Sequence, residues 1–180
     1  EPGAPQIFDD VPNNIVFDWG LGDEEKTDKA MADAHHVTTI EFDNQRLVCN
    51  AIEPRCAIGD YDGARDHYTL YTTTQNPHVI RLLMCAFVMG LPEHKVRIVS
   101  PDVGGGFGTK GWQYPEHRLT LWAARKVGRP VKWACERSEA VQADEHGRDN
   151  VTEAELAFDT DGRVTGLRVN TVANIGAYLS

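Results

Sequence analysis

Pro101-Asp102-Val103-Gly104-Gly105-Gly106-Phe107-Gly108-Thr109-Lys110-Gly111-Trp112-Gln113-Tyr114-Pro115 is the stretch on which the fold turns. Gly106–Gly111 satisfies the Gly-x-Gly-x-x-Gly pattern of dinucleotide-binding turns, it follows a strand-like run at Val96–Ser100, and Glu136 ends the next strand where a ribose-binding acid would sit. In such a turn the helix begins inside the glycine segment, so that its N-terminus meets the pyrophosphate. Pro115 stands four residues after the last glycine. Inside a helix it would remove an N–H and clash with the preceding turn, at about 3 kcal/mol, whereas at the first position of a helix proline is favoured. The sequence therefore predicts a helix from Pro115 to Val127, stopped by Gly128, with Gly104–Tyr114 as a free-standing loop. A phosphate-binding loop of the Gly-x-x-x-x-Gly-Lys-Ser/Thr type is excluded, because the loop lysine follows Thr109.

Outward from the loop, Asn76-Pro77 opens a second helix: Asn76 is suited to cap it, and an almost wholly apolar run from Val79 to Met89 ends at Gly90. Such a helix is expected to be buried. Strands are predicted at Val37–Phe42 and Leu47–Cys49, joined tightly through Asp43–Arg46, and at His67–Thr74, Val96–Ser100 and Val131–Cys135. Val151–Phe158 and Val164–Ala173 flank Asp159-Thr160-Asp161-Gly162, whose Asp-Gly pair signals a hairpin. The order βββαβαβββ reads as an α+β fold with a mostly antiparallel sheet and two main helices. Residues 1–33, rich in Pro, Asn, Asp and Gly, read as an extended arm with a short exposed helix within Asp23–Ala34, and residues 34–180 as part of a domain. Tyr71, Trp122 and Trp133 are assigned to the core, His35 and His36 to a solvent-facing strand edge.

Over 180 residues, 41% hydrophobic and 25% charged composition is that of a globular chain. A net charge of -9 with scattered Lys and Arg argues against a nucleic-acid surface. Cys49, Cys56, Cys85 and Cys135 form no Cys-x-x-Cys pair, so neither a zinc knuckle nor an iron–sulfur loop is encoded; Cys85 falls in the apolar run and reads as a small buried hydrophobe, and cytosolic thiols are expected, although an even count would also permit disulfides in a secreted chain. No run of about 20 apolar residues marks a membrane span and no signal peptide opens the chain, which places the expectation in the cytoplasm. The chain starts at Glu1 rather than Met and reads as cut from something longer.

Glycine lacks the Cβ that keeps a ligand from the backbone, so Gly104, Gly105, Gly106 and Gly108 can adopt positive φ and offer successive N–H groups as an anion-binding concavity. Phe107 alone supplies a ring to cover it. The plain alternative is a mobile surface turn.

Three further blocks set the loop in context. Asn50-Ala51-Ile52-Glu53-Pro54-Arg55 with Gly59-Asp60-Tyr61-Asp62, then Thr73-Thr74-Gln75-Asn76-Pro77, then Gly104–Lys110, and finally Gly176-Ala177-Tyr178 resemble, in order and spacing, the large subunit of the molybdenum hydroxylases. This is the xanthine dehydrogenase and aldehyde oxidase family, and the likeness is strongest to its bacterial branch of aerobic carbon monoxide dehydrogenase type.

The resemblance implies a molybdenum–pterin cofactor, in bacterial members usually the molybdopterin cytosine dinucleotide, with no direct metal ligand on this chain and with 2Fe-2S clusters and FAD carried by partner subunits. It implies a hetero-oligomeric oxidoreductase that hydroxylates an aldehyde, an N-heterocycle or carbon monoxide using water. By the same resemblance Gln75 donates a hydrogen bond beside the metal, Gly105, Gly106, Phe107 and Gly108 bind the cofactor, and Arg55 lies beside the substrate channel. Residue by residue, other readings stay open: Gln75 as a helix cap, Arg55 as a salt-bridge partner of Glu53, and Thr109 and Lys110 as phosphate contacts or loop closures. Gly111 occupies the position where purine-oxidising members carry a substrate-binding glutamate, which argues against xanthine. The general-base glutamate of the family falls after Ser180, so the chain is expected to be an inactive fragment that self-associates alone. The competing functions are a nicotinamide-dependent dehydrogenase built on Gly106–Gly111, which requires a helix starting before Pro115, and a non-catalytic assembly module.

Overall fold

The computed structural model describes residues 3–176; the chain divides into two compact units, Glu1–Arg46 with Arg148–Ser180, and Leu47–Gly147. The fold is α+β: among the described residues four of the five strand pairings are antiparallel.

The first unit is built on strands β1 (His36–Asn44), β6 (Asn150–Phe158) and β7 (Val164–Ala173), in the order β1-β6-β7. The β6–β7 hairpin turns at Asp159–Gly162, where Asp159 Oδ1 accepts from the N–H groups of Asp161 and Arg163 and Gly162 adopts φ +79°. This is the turn expected of the Asp-Gly pair. β1 differs from expectation. It runs through Asp43 and Asn44 and pairs along its length with β6, His36 opposite Phe158 and Asn44 opposite Asn150. The tight hairpin to Leu47–Cys49 does not form; Leu47 makes only a bridge to Gly147. Helix α1 (Glu24–Ala32) is capped by Asp23, whose Oδ1 accepts from Lys26 N, and packs where Gly166 leaves room for Ala30.

The second unit has four strands in the order β4-β3-β2-β5: β2 (Cys56–Asp62), β3 (His67–Thr72), β4 (Val96–Val99) and β5 (Val131–Ala134). β2 was not foreseen. Helix α2 (Pro77–Leu83) connects β3 to the parallel β4 and winds on into a wider turn at Met84–Met89 that stops at Gly90, φ +61°. Helix α3 has the expected bounds, Pro115–Val127, with Gly128 at φ +68°. Helix α4 (Arg137–Ala143), absent from the sequence reading, is opened by Glu136, which is therefore a helix N-cap.

Ala57, Tyr68, Leu70, Ile80, Met84, Cys85, Val96 and Leu121 form the core of this unit, with Trp133 against it. α3 lies so close to β2 that a Cβ on Gly59 would fall 2.4 Å from the Thr120 carbonyl carbon. The apolar helix is half-buried rather than buried: Ile80, Met84 and Cys85 face inward while Leu82 and Phe87 are exposed. Tyr71 and Trp122 are likewise exposed, not core. All four cysteines are free thiols. Among the described residues no helix is long and apolar enough to cross a membrane.

Candidate functional site

The glycine loop is held at both ends by side chains from two other segments of the second unit. At its start, Gly104 N–H donates to Glu53 Oε2 at 2.7 Å and Glu53 N–H donates to the Gly104 carbonyl at 3.2 Å. At its end, Lys110 N–H donates to Gln75 Oε1 and Gln75 N–H donates to the Lys110 carbonyl at 3.0 Å, an acceptor shared with Thr74 Oγ1. Asn76 Nδ2 adds a bond to the Gly111 carbonyl at 3.2 Å, so Asn76 ties down the loop instead of capping α2 with its side chain.

Between these anchors the backbone takes left-handed turns at Gly105 (φ +96°), Phe107 (φ +53°) and Gly108 (φ +96°), while Gly104 and Gly106 stay outside that region. For Phe107 this conformation costs about 1–2 kcal/mol, and the strain is tolerated at a loop fixed on both sides. Its ring, 74% exposed, folds back over Gly105, where a Cβ would lie 2.9 Å from Cε2. Gly108 N–H is taken by Gln75 Oε1 at 3.0 Å, Thr109 N–H by the Gly106 carbonyl and Gly111 N–H by the Gly108 carbonyl. Among the described residues the N–H groups of Gly105, Gly106 and Phe107 donate to nothing. Three consecutive unengaged amides around a left-handed turn form a concave donor surface for an anion.

Gln75 completes this surface. Both groups facing its Oε1 are N–H donors, which fixes the carboxamide orientation and leaves Nε2 a donor without a partner among the described residues. Gly106 lies against the same side chain: a Cβ there would stand 2.5 Å from Oε1 and 2.6 Å from Cδ. The structure thus brings together four of the expected residues, Gln75, Gly105, Gly106 and Phe107, as open donors or cover, whereas the amide of Gly108 is spent on orienting Gln75.

Arg55 stands elsewhere. Its guanidinium, 2% exposed, does not pair with Glu53 but with Asp144 Oδ1 at 2.6 Å and Glu116 Oε2 at 3.0 Å. It stacks 3.6 Å from the centroid of Tyr114 and also faces Trp133. Lys110 is equally enclosed, its Nζ donating to the carbonyl and carboxylate of Glu53, and so it closes the loop rather than presenting a charge to a phosphate.

Behind the loop, Tyr114 O–H donates to the Thr109 carbonyl at 2.8 Å, and burial pushes its phenol up to about 12. His117 is buried one turn into α3; Tyr114 N–H donates to its Nδ1, which places the proton on Nε2, donating to Thr72 Oγ1, while that hydroxyl donates to the Cys56 carbonyl. Burial, reinforced by the Arg55 charge, holds His117 down at about 4. Glu53, Thr74 and His117 escape a sequence reading because Gly104 and Lys110, Lys110, and Thr72 respectively lie tens of residues away, and Tyr114 because its local bonds to Thr109 and His117 have no motif. The signal for Glu53 was its place in the Asn50–Arg55 block. Gly176 of the last quoted block lies at the end of the described residues, and Ala177 and Tyr178 lie outside them.

Residues 7–180 match the molybdopterin cofactor-binding domain family. The carbon monoxide dehydrogenase large chain of Hydrogenophaga pseudoflava is 39% identical over 99% of this chain and 24% of its own length. A crystal structure of Cu,Mo-CO dehydrogenase in the carbon monoxide reduced state superposes with a TM-score of 0.86 at 32% identity, covering 96% of this chain and 23% of that one. Quinoline 2-oxidoreductase from Pseudomonas putida 86 gives 0.77 at 34% identity over 83% of this chain and 19% of that one. The chain spans about a quarter of the length of the curated carbon monoxide dehydrogenase relatives it matches. With a family match across nearly its whole length, the chain belongs to the molybdopterin cofactor-binding domain family, within the group that includes carbon monoxide dehydrogenase and the xanthine dehydrogenase-type hydroxylases.

Proposed function

We propose that this chain supplies the first part of the cofactor-binding surface in the catalytic large subunit of a molybdenum hydroxylase, with residues 34–180 as that part and 1–33 as an arm. The observation that carries the reading is the donor set. The N–H groups of Gly105, Gly106 and Phe107 and the Nε2 of Gln75 are neutral donors without partners among the described residues, grouped on one loop. Such donors suit an anionic oxo- and dithiolene-bearing group, because they stabilise its negative charge without bringing a proton that exchanges. The glycines let the cover and the side-chain donor lie directly against the loop, since a Cβ at Gly105 would strike the Phe107 ring and one at Gly106 the Gln75 carboxamide. The residues present fit a molybdenum–pterin cofactor, the cytosine dinucleotide form being the one assigned by likeness to the bacterial relatives.

When bound, that cofactor supplies the two-electron oxidation by which oxygen from water enters the substrate. This chain's residues bind and orient it. Gln75 is held so that Nε2 points outward, the loop amides receive the anion, and the Phe107 ring shields one side from water. The substrate belongs to the class spanned by the relatives, a small carbon compound such as carbon monoxide, an aldehyde or an N-heterocycle, and Gly111 leaves no acidic side chain at the position that binds purines. Partner subunits with 2Fe-2S clusters and FAD would take up the electrons in a cytoplasmic hetero-oligomer, whose assembly would cover the exposed Leu82 and Phe87.

The nicotinamide reading required a helix starting before Pro115, and α3 begins at Pro115. The test is elemental analysis of the full-length subunit expressed with its cofactor-synthesis genes. Near one molybdenum per polypeptide supports the assignment, and its absence overturns it.

A further inference from the structure

The loop's three open amides have their positions set by two charged residues that no quoted motif role explains. Lys110 Nζ, on a side chain 2% exposed, donates to the Glu53 carbonyl at 2.8 Å and to Glu53 Oε2 at 2.9 Å. The same Oε2 accepts the Gly104 N–H at 2.7 Å. One carboxylate oxygen therefore serves the first and the last residue of the Gly104–Lys110 segment. The approach is close: a Cβ on Gly104 would stand 2.5 Å from the Glu53 Cβ. Through its own backbone Lys110 also meets Gln75 on both faces, its N–H on Oε1 and its carbonyl under the Gln75 N–H.

Taken with the molybdenum–pterin reading, on which it rests, the geometry points to Glu53 and Lys110 as the positioning pair of the site, an ion pair that closes the loop into a ring and so sets both the amide row and the Gln75 carboxamide. The Lys110 charge is enclosed and Glu53 spends Oε2 on Lys110 and Gly104, so the donors offered to the ligand are all neutral. A lysine this enclosed is unpaired at high cost if its carboxylate is lost, whereas Glu53, whose side chain is 34% exposed, is solvated if the lysine is lost. The two removals are therefore unequal.

The experiment uses the full-length subunit carrying Lys110→Met, Glu53→Gln or both. In cofactor-free protein, hydrogen–deuterium exchange of a peptide covering 101–112 is expected to speed up at least tenfold in each variant, while a peptide covering 115–127 is unchanged. In protein made with cofactor-synthesis genes, molybdenum per polypeptide is expected to fall below a third of wild type, and the double variant to be no worse than Lys110→Met alone. In the fraction still loaded, the Mo(V) electron paramagnetic resonance signal shifts. Wild-type protection of the loop peptide in Lys110→Met, or equal loosening of both peptides, overturns the assignment. If Glu53→Gln fails to fold, Lys110→Met alone decides. Loop loosening in a subunit whose wild type holds no molybdenum supports the pair as the loop's anchor and overturns the cofactor reading instead.

Discussion

Replacing Gly106 with alanine tests the site without attacking the fold. Gly106 is outside the left-handed region, so alanine meets no backbone strain there. The added Cβ would lie 2.5, 2.6 and 2.8 Å from Oε1, Cδ and Cγ of Gln75, against an ordinary contact of about 3.5–4 Å. The side chain must therefore swing by about 1 Å, which takes Oε1 away from the N–H groups of Gly108 and Lys110, now at 3.0 and 3.3 Å. Two hydrogen bonds at about 0.5–1.5 kcal/mol each set a local loss of about 1–3 kcal/mol. Water reaches the loop, so global unfolding by urea is expected to shift by only about 1 kcal/mol. The ligand loses a directed donor, and a hydrogen bond to a charged acceptor of about 1.5–3 kcal/mol corresponds to roughly a tenfold to hundredfold faster loss of cofactor at 1.4 kcal/mol per decade. The assay is molybdenum per polypeptide against time after gel filtration of the full-length protein. Gly147→Ala, whose Cβ meets nothing within 4 Å, is the control. Wild-type retention in Gly106→Ala would refute the claim that Gln75 is held in place to serve the cofactor.

Gly59→Ala, by contrast, strikes backbone, the Thr120 carbonyl carbon at 2.4 Å and Leu121 N at 2.6 Å, so α3 must lift; an unfolding free energy lowered by about 1–3 kcal/mol in urea titrations is expected, and no change would show the packing to be looser than described. Arg55→Met strands the carboxylates of Asp144 and Glu116, and unfolding free energy is expected to fall by about 3–5 kcal/mol, with partial recovery in Arg55→Met/Asp144→Asn. His117 is held at about 4 against an ordinary 6.5, so between these values the unfolded chain binds a proton that the folded chain refuses. Stability is therefore full above pH 6.5 and falls by about 3 kcal/mol as pH drops to 4, a limb that urea titrations of His117→Gln should lack. Alkylation of Cys135, whose thiol burial pushes up to about 11, is expected to lag far behind that of Cys49 at pH 8, as read by mass spectrometry.

What was legible in the sequence was local. Pro115 and Gly128 fix α3 because one sets φ without needing a donor and the other accepts the left-handed turn that ends the helix. The Asp-Gly pair places the last hairpin for the same kind of reason. β1 misled, because Asp43 and Asn44 carry turn chemistry while their pairing with Val151 and Asn150, more than a hundred residues on, overrides it. β2 was invisible as a strand: Gly59 is there because α3 crosses it, a fact of packing and not of propensity. At the site, the glycine run and Gln75 could be picked out as motifs. That Gly108 would orient Gln75, that Phe107 would take the left-handed turn, and that Glu53 would hold Lys110 depended on three segments meeting in space.

The central claim is that the amides of Gly105–Phe107 and the Gln75 carboxamide receive a molybdenum–pterin group. The most direct measurement is an anomalous difference map at the molybdenum edge from crystals of the full-length, cofactor-loaded subunit. The account predicts the peak beside Gln75 Nε2 and the 105–107 backbone; a molybdenum peak remote from that loop, with those amides facing solvent, would contradict it.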